Sequence, residues 1–304
     1  SFLFFFSLMI NAVCKNEYCP PLLPILSAQK TLFCRPINAF LNPFYVYFWK
    51  YEGKQVKKLY FSTIFFDDDK TIPNGLTMIN LLCGVMGIVG CFSGNIQLVP
   101  WLVAIALLAD FLDGFAARAL KVHSELGKQL DSLADCVTFG VLPGIIFLFL
   151  FSQKGGFGTL DLTKPNIGFI SFLYPICAAL RLGKFNIDTR QTVNFIGMPT
   201  PAGGLFATGV LLVFLNNTFG LTALTTNHLF LAITVPILSW LLLSPIPMFS
   251  LKANLKQWKG NEAKIVFFAS CAILLATCGW LAFPLIITLY AGISGLFYLI
   301  GKPI

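Results

Sequence analysis

Eight long apolar stretches follow one another after residue 72, and they constrain the fold of this chain more than any other feature of its sequence. Each stretch has 17 to 23 residues. An α-helix needs about 20 apolar residues to cross a hydrocarbon layer of about 30 Å. The sequence therefore predicts an all-α, polytopic membrane protein with about eight transmembrane helices. We place these stretches at 73–93, 98–120, 133–152, 167–183, 200–216, 228–247, 263–279 and 282–300.

The charged residues agree with this interpretation. Only 11% of the 304 residues are charged, whereas soluble domains have about 25%, so a water-soluble domain is excluded. If the odd-numbered stretches leave the cytoplasm, 16 basic residues lie on the cytoplasmic side and only Lys154 and Lys164 lie outside. Cytoplasmic loops of membrane proteins carry such an excess of basic residues. The net charge of +8 is thereby explained without a nucleic-acid partner, and both ends of the eight-helix core are expected in the cytoplasm.

Composition divides the chain into three parts. Residues 1–65 begin with Ser1 rather than Met, are dense in Phe and contain scattered prolines. We interpret them as an atypical N-terminal extension, disordered or artefactual, and assign them no function. Residues 66–260 are expected to form the membrane core. Residues 261–304 are expected to form a C-terminal helical hairpin.

Four aspartates lie within 26 positions at the second and third stretches, where carboxylates are least expected: Asp110, Asp113, Asp131 and Asp135. Side chains three or four residues apart share one face of a helix, and the short connection brings the two pairs together near the cytoplasmic surface. Each ionised aspartate at the centre of a membrane helix costs about 2.5–3.5 kcal/mol, and clustering adds repulsion. Cations must therefore sit among them. Oxygen ligands without His or Cys favour Mg²⁺ or Mn²⁺, and four carboxylates suffice for two ions.

The neighbours of these aspartates point toward phosphate chemistry. Gly114, Ala117 and Gly127 leave space in which another molecule can approach the backbone. Arg118 presents a planar fork of donors that matches a phosphate group. Metal ions together with an arginine favour phosphoryl transfer. Two alternatives remain open: close helix packing would also explain the glycines, and a cation pathway in a transporter would also explain the acidic residues.

The complete spacing D-x2-D-G-x2-A-R-x8-G-x3-D-x3-D, from Asp110 to Asp135, resembles the signature of the CDP-alcohol phosphatidyltransferases. These integral-membrane enzymes join an alcohol to a lipid phosphate and release CMP. The flanking segments look most like those of the serine-using members, the integral-membrane phosphatidylserine synthases. These segments are residues 72–80, 135–143, 179–186 and 197–202. The resemblance extends over residues 72–260 and makes the membrane core the catalytic part.

The resemblance implies a role for each residue of the signature. Asp110, Asp113 and Asp131 would ligate the metal ions. Asp135 would be the general base that takes the hydroxyl proton of the acceptor, and a metal ligand as well. The cytidine and diphosphate would be held by Gly114, Ala117, Arg118 and Gly127.

Residues outside the signature have both structural and functional interpretations. Asn74 and Thr77 follow Pro73 at a helix start, where they would cap the helix and also contact substrate. Arg181, Lys184 and Asn186 end the fourth stretch on the cytoplasmic side. Membrane topology alone would explain basic residues at this position. Arg181 beside Asn186 would also orient the carboxylate of serine or the lipid phosphate.

The resemblance also implies the partners and the location. The substrates would be CDP-diacylglycerol and L-serine, and the protein would lie in a bacterial inner membrane with its site facing the cytoplasm. A homodimer is one candidate assembly, and no nucleic acid is expected to bind. The first alternative function is the same transfer to glycerol 3-phosphate or an inositol compound. The second is a cation-coupled transporter.

Overall fold

The computed structural model describes residues 47–52, 55–60, 71–121, 125–153, 166–187, 195–248 and 262–300. The chain divides into two units, Ser1–Phe61 and Ser62–Ile304. In the first unit, strands β1 (Tyr47–Glu52) and β2 (Gln55–Tyr60) pair as an antiparallel hairpin. Part of the predicted N-terminal extension therefore forms strands, and the rest of residues 1–65 lies outside the described residues.

The second unit is built from helices. Five segments are long and apolar enough, by length and composition, to cross a membrane: Ile72–Phe92, Ile96–Ala119, Glu125–Ser152, Ile167–Ile187 and Phe267–Ile300. The helices are α1 (Thr71–Phe92), α2 (Val99–Ala119), α3 (Glu125–Asp135), α4 (Leu142–Ser152), α5 (Leu173–Ile187), α6 (Thr200–Leu215), α7 (Thr222–Thr225), α8 (His228–Leu243), α9 (Glu262–Cys278) and α10 (Ala282–Ile300).

The eight predicted stretches each correspond to an apolar helical segment, which confirms the predicted all-α membrane fold. Helices α6 and α8 have 16 residues each, so they fall short of the five long segments. The last long segment contains two helices that reverse direction near Gly279, whose φ is +54°. The rings of Phe267 on α9 and Tyr290 on α10 lie 5.9 Å apart, as expected for an antiparallel pair.

The third apolar helix begins earlier than predicted. Its first residue is Glu125, whereas the apolar stretch begins at residue 133. The first turns carry exposed polar side chains such as Lys128, so hydropathy does not detect them. This early start places both Asp131 and Asp135 inside a helix, where their spacing of four residues puts them on the same face.

A π-helical segment, Cys136–Val141, joins α3 to α4 directly after Asp135. Such wide turns within a helix are frequent at functional sites. Helix α4 beyond it is buried along almost its whole length. It packs against α6 and α1, while α5 packs against α8. The core therefore lies around α4, and the π-helical segment carries Asp135 at the edge of that core.

A two-residue ladder fixes the chain at the entry to α6. Strand β3 (Phe195–Ile196) pairs antiparallel with β4 (Pro247–Met248), which follows α8. The backbone N–H of Gly197 then donates to the Ile246 carbonyl at 2.9 Å. The segment before α6 is therefore tied to the segment after α8.

Helix α1 approaches the π-helical segment closely at Gly84, and we expect Gly84→Ala to destabilise the protein. A Cβ atom at this position would lie 2.9 Å from the Thr138 Cα atom and would overlap the Thr138 hydroxyl. Overpacking of this kind costs about 1–3 kcal/mol. Thermal unfolding in detergent measures the effect. Gly183→Ala, which has nothing within 4 Å of its new Cβ, is the control, and equal stability of the two variants would contradict the packing.

Candidate active site

Three aspartates from two helices converge at one point. Asp110 and Asp113 lie one turn apart on α2, and Asp131 lies on α3. One carboxylate oxygen from each lies within 4.8 Å of the other two. Asp113 is only 5% exposed. The structure thus brings together the three residues to which the signature assigns the metal.

The environment of this cluster fits a divalent cation. The Oδ1 atom of Asp131 is buried and has no hydrogen-bond partner, and an unpaired buried acceptor costs about 1–3 kcal/mol. Three carboxylates at this separation also repel one another in a partly buried site. A hard cation among them would remove both costs, and oxygen-only donors are the set that such cations prefer. We conclude that Asp110, Asp113 and Asp131 form a group able to hold a metal ion.

Asp135 completes the acidic group from the next turn of α3. Its side chain interacts with that of Asp110, and it is 9% exposed. Asn80 Nδ2 on α1 donates a hydrogen bond to Asp135 Oδ1 at 3.1 Å. The Thr138 hydroxyl donates to the Asn80 carbonyl at 3.0 Å. The π-helical segment and α1 therefore fix the orientation of Asp135.

Sequence reasoning did not single out Asn80 as a site residue. The signal that finds it is a polar stripe in an otherwise apolar helix, because Asn74, Thr77 and Asn80 recur at intervals of three residues. All three side chains are buried. Residues three apart lie on one face of a helix, so this face of α1 is directed into the protein. Two of the three contact an aspartate of the acidic group.

Thr77 supports the acidic cluster directly. Its hydroxyl donates to Asp113 Oδ2 at 2.7 Å and also lies 3.0 Å from the Pro73 carbonyl oxygen. Asn74 is buried one turn earlier on the same face. The predicted capping by Asn74 and Thr77 is wrong, because α1 already begins at Thr71 and both residues lie inside it. The Thr77 hydroxyl contacts Asp113 instead, and a substrate contact of the two residues stays a prediction.

We expect Thr77→Val to weaken metal binding and turnover by about 10–100-fold, the effect typical of losing a hydrogen bond to a metal ligand. Valine keeps the shape of threonine but cannot donate to Asp113. The affinity for Mn²⁺, measured by titration followed with electron paramagnetic resonance, tests the binding. Thr77→Ser keeps the hydroxyl and is the control. Equal affinity of the valine variant and the wild type would contradict the role of the hydrogen bond.

The residues assigned to the nucleotide extend from this cluster. Gly114 follows Asp113, and a Cβ atom added there would meet nothing closer than the Arg118 guanidinium at 3.8 Å. Arg118 is exposed near the end of α2, and Ala117 is half-buried. Gly127 is half-buried on α3. The Arg118 guanidinium is thus at ordinary van der Waals distance from this position, and a nucleotide role for these four residues stays a prediction.

The three polar residues at the end of α5 do not form one group. Arg181 is buried and its Nη1 donates to the Thr200 hydroxyl at 3.2 Å. Asn186 instead pairs with α3, because its Nδ2 donates to the Ser132 hydroxyl at 2.9 Å. Lys184 is exposed. Arg181 and Asn186 thus bond to side chains on two different helices, and a joint role of the two residues toward a substrate stays a prediction.

Comparisons with known proteins identify the family. The family model of the CDP-alcohol phosphatidyltransferases matches residues 70–242, which include the four aspartates. Three similar proteins bear the name CDP-diacylglycerol–serine O-phosphatidyltransferase. The one from Bacillus subtilis (strain 168) is 36% identical over 195 residues, covering 62% of this chain and 98% of that protein. The one from Helicobacter pylori (strain ATCC 700392 / 26695) is 36% identical over 189 residues, covering 60% and 75%.

The third, from Mycobacterium leprae (strain TN), is 35% identical over 185 residues, which cover 58% of this chain and 57% of that longer protein. The part of the chain matched by the family model contains α1 to α7 and nearly all of α8. It therefore holds every residue of the acidic group and both residues of α1 that contact it. With this signature, this helical architecture and these relatives, the chain belongs to the CDP-alcohol phosphatidyltransferase family.

Proposed function

We propose that this protein transfers the phosphatidyl group of CDP-diacylglycerol to the hydroxyl of L-serine and releases CMP. The observation that carries the proposal is the convergence of Asp110, Asp113 and Asp131, with Asp135 beside them. The names of the similar proteins supply the two substrates. The chemistry of the site supports a reaction in which a diphosphate is bound and an alcohol is deprotonated.

Asp110, Asp113 and Asp131 would hold Mg²⁺ or Mn²⁺, and two ions are expected, with Asp135 as a further ligand. When bound, these ions neutralise the charge of the diphosphate and of the departing CMP. Oxygen ligands alone favour these metals over zinc. The protein's contribution is to hold the carboxylates in place, through the Thr77 hydroxyl at Asp113 and the Asn80 amide at Asp135.

Asp135 is the proposed general base. Its carboxylate takes the proton of the serine hydroxyl, and the hydroxyl oxygen forms a bond to the phosphorus that carries the diacylglycerol. The bond from that phosphorus to the CMP oxygen breaks, and CMP leaves with the electron pair. Asn80 donates a hydrogen bond to Asp135 Oδ1 and so orients the carboxylate that takes the proton. General bases of this kind contribute about 10²–10⁴-fold to turnover.

The remaining contacts divide between the two substrates. Gly114, Ala117, Arg118 and Gly127 would hold the cytidine and diphosphate, and the proximity of the Arg118 guanidinium to Gly114, the residue after Asp113, supports this assignment. Asn74 and Thr77 would border the same site from α1. Lys184 and Asn186 would lie near the cytoplasmic entrance at the end of α5.

The excess of basic residues on one side supports a cytoplasmic site in a bacterial inner membrane. The lipid tails would enter sideways between helices, while serine and the nucleotide group meet at the surface. We assign catalysis to residues 66–260, a helical hairpin to 261–304 and no function to 1–65. A homodimer is the proposed assembly, and no nucleic acid takes part.

The acceptor is tested by supplying membranes that contain the protein with CDP-diacylglycerol and one labelled alcohol at a time. We expect phosphatidylserine and an equal amount of CMP from L-serine. If labelled lipid forms from glycerol 3-phosphate or inositol and none forms from L-serine, that alcohol and not serine is the acceptor. Cation flux without CMP release would contradict a transferase and favour a transporter.

A further inference from the structure

Arg181 is a buried cation that no carboxylate contacts directly among the described residues. It is 8% exposed, its Nε has no hydrogen-bond partner, and its Nη1 donates to the neutral hydroxyl of Thr200. No carboxylate in the described part of the chain forms an ion pair with it. Burying an unpaired charge is costly unless a ligand or a counter-ion compensates it. The guanidinium therefore keeps a donor, Nε, for direct contact with an anionic group of a ligand.

The electrostatic surroundings of Arg181 include the proposed base. The side chains that interact electrostatically with its guanidinium are those of Tyr174, Tyr290 and Asp135. Tyr174 donates its own hydroxyl proton to the Phe139 carbonyl at 3.3 Å. Asp135 is already engaged by Asn80. An anion bound at Arg181 would thus lie in the same region of the site as the carboxylate that accepts the proton.

Thr200 is held in place by the turn before α6. Gly197 has a φ of +79°, and a Cβ atom there would lie 2.5 Å from the Leu242 carbonyl oxygen. The Met198 N–H donates to the Leu241 carbonyl at 2.9 Å. Thr200 then begins α6 and is fully buried. The segment from Gly197 to Thr200 therefore fixes the hydrogen-bond partner of Arg181. This segment is part of the family resemblance, but the sequence alone assigns it no function.

We infer that Arg181, oriented by Thr200, binds the carboxylate of the acceptor and thereby selects L-serine over alcohols that lack a carboxylate. This inference rests on the proposed function. Two carbon atoms separate the carboxylate of serine from its hydroxyl, so anchoring the carboxylate at Arg181 directs the hydroxyl toward Asp135. An arginine fork matches a carboxylate in geometry and charge. Thr200 is a positioning residue, and Arg181 is the binding residue.

The test compares L-serine with L-serinamide, which keeps the hydroxyl and the amino group but has no carboxylate. Removing one partner of a buried charge pair typically costs at least about 30-fold. We expect Arg181→Met to lower kcat/KM for L-serine by about 100-fold or more and to change kcat/KM for L-serinamide by less than about threefold. Lys121→Met, at an exposed basic residue after α2, is the matched control and should behave as the wild type.

A second pair of variants tests the positioning role without removing the charge. Thr200→Val should raise the KM for L-serine by about tenfold, while kcat and the KM for CDP-diacylglycerol stay unchanged. Thr200→Ser should restore the wild-type KM. The inference would be overturned if the wild type makes phosphatidylserine but Arg181→Met or Thr200→Val keeps the wild-type preference for L-serine over L-serinamide. A wild type that does not use L-serine would instead overturn the proposed function.

Discussion

Replacing Asp135 by asparagine is expected to lower turnover with L-serine by about 10²–10⁴-fold, the usual contribution of a general base, while CDP-diacylglycerol still binds. Asparagine has nearly the same shape and can still accept the hydrogen bond from Asn80 Nδ2, but its neutral amide cannot take the hydroxyl proton. The rate of CMP release measures turnover. A separate equilibrium measurement in detergent gives the affinity of the variant for CDP-diacylglycerol.

Glu125→Gln is the matched control for this substitution. Glu125 lies on the same helix, α3, but is exposed at its start. It should keep wild-type turnover, because it makes no contact with the acidic group among the described residues. Turnover of Asp135→Asn within threefold of the wild type would contradict the assignment of the base. Loss of both turnover and CDP-diacylglycerol binding would show that Asp135 acts chiefly as a metal ligand.

Removal of divalent cations is expected to have the second large effect. A chelator should lower CMP release by at least about 10³-fold, equivalent to about 4 kcal/mol of activation free energy, because the diphosphate would then face four uncompensated carboxylates. Mn²⁺ or Mg²⁺ added after removal of the chelator should restore the rate. The measurement is CMP release from purified protein with CDP-diacylglycerol and L-serine.

A control separates this effect from unfolding. Thermal unfolding in the same chelator should show a cooperative transition, because the core around α4 is formed by buried apolar side chains that need no metal. Full turnover in the presence of chelator would contradict the metal-dependent account of the site.

The sequence predicts the architecture and the acidic cluster because both depend on local spacing. Intervals of three and four residues place Asp110 with Asp113, and Asp131 with Asp135, on common helix faces. Because the connection between the two helices is short, the two pairs of aspartates converge without help from distant parts of the chain. The structure places the ligand oxygens of Asp110, Asp113 and Asp131 within 4.8 Å of one another.

The features that the sequence does not predict depend on distant partners. Asn80 meets Asp135 across 55 positions, and no spacing rule connects them. Arg181 and Asn186 both end α5, yet Arg181 contacts Thr200 and Asn186 contacts Ser132. These partners lie on α6 and α3, at distant positions of the sequence. The π-helical turn after Asp135 likewise has no signature in hydropathy.

Direct binding of Mn²⁺ tests the central claim that carboxylates from α2 and α3 hold divalent cations. Electron paramagnetic resonance counts the Mn²⁺ bound per chain in the presence of CDP-diacylglycerol and absence of serine. The account predicts saturable binding by the wild type and by Glu125→Gln, with at least about tenfold weaker binding by Asp131→Asn, because a ligand is lost. Equal binding by Asp131→Asn and the wild type, or no binding by the wild type, would contradict it.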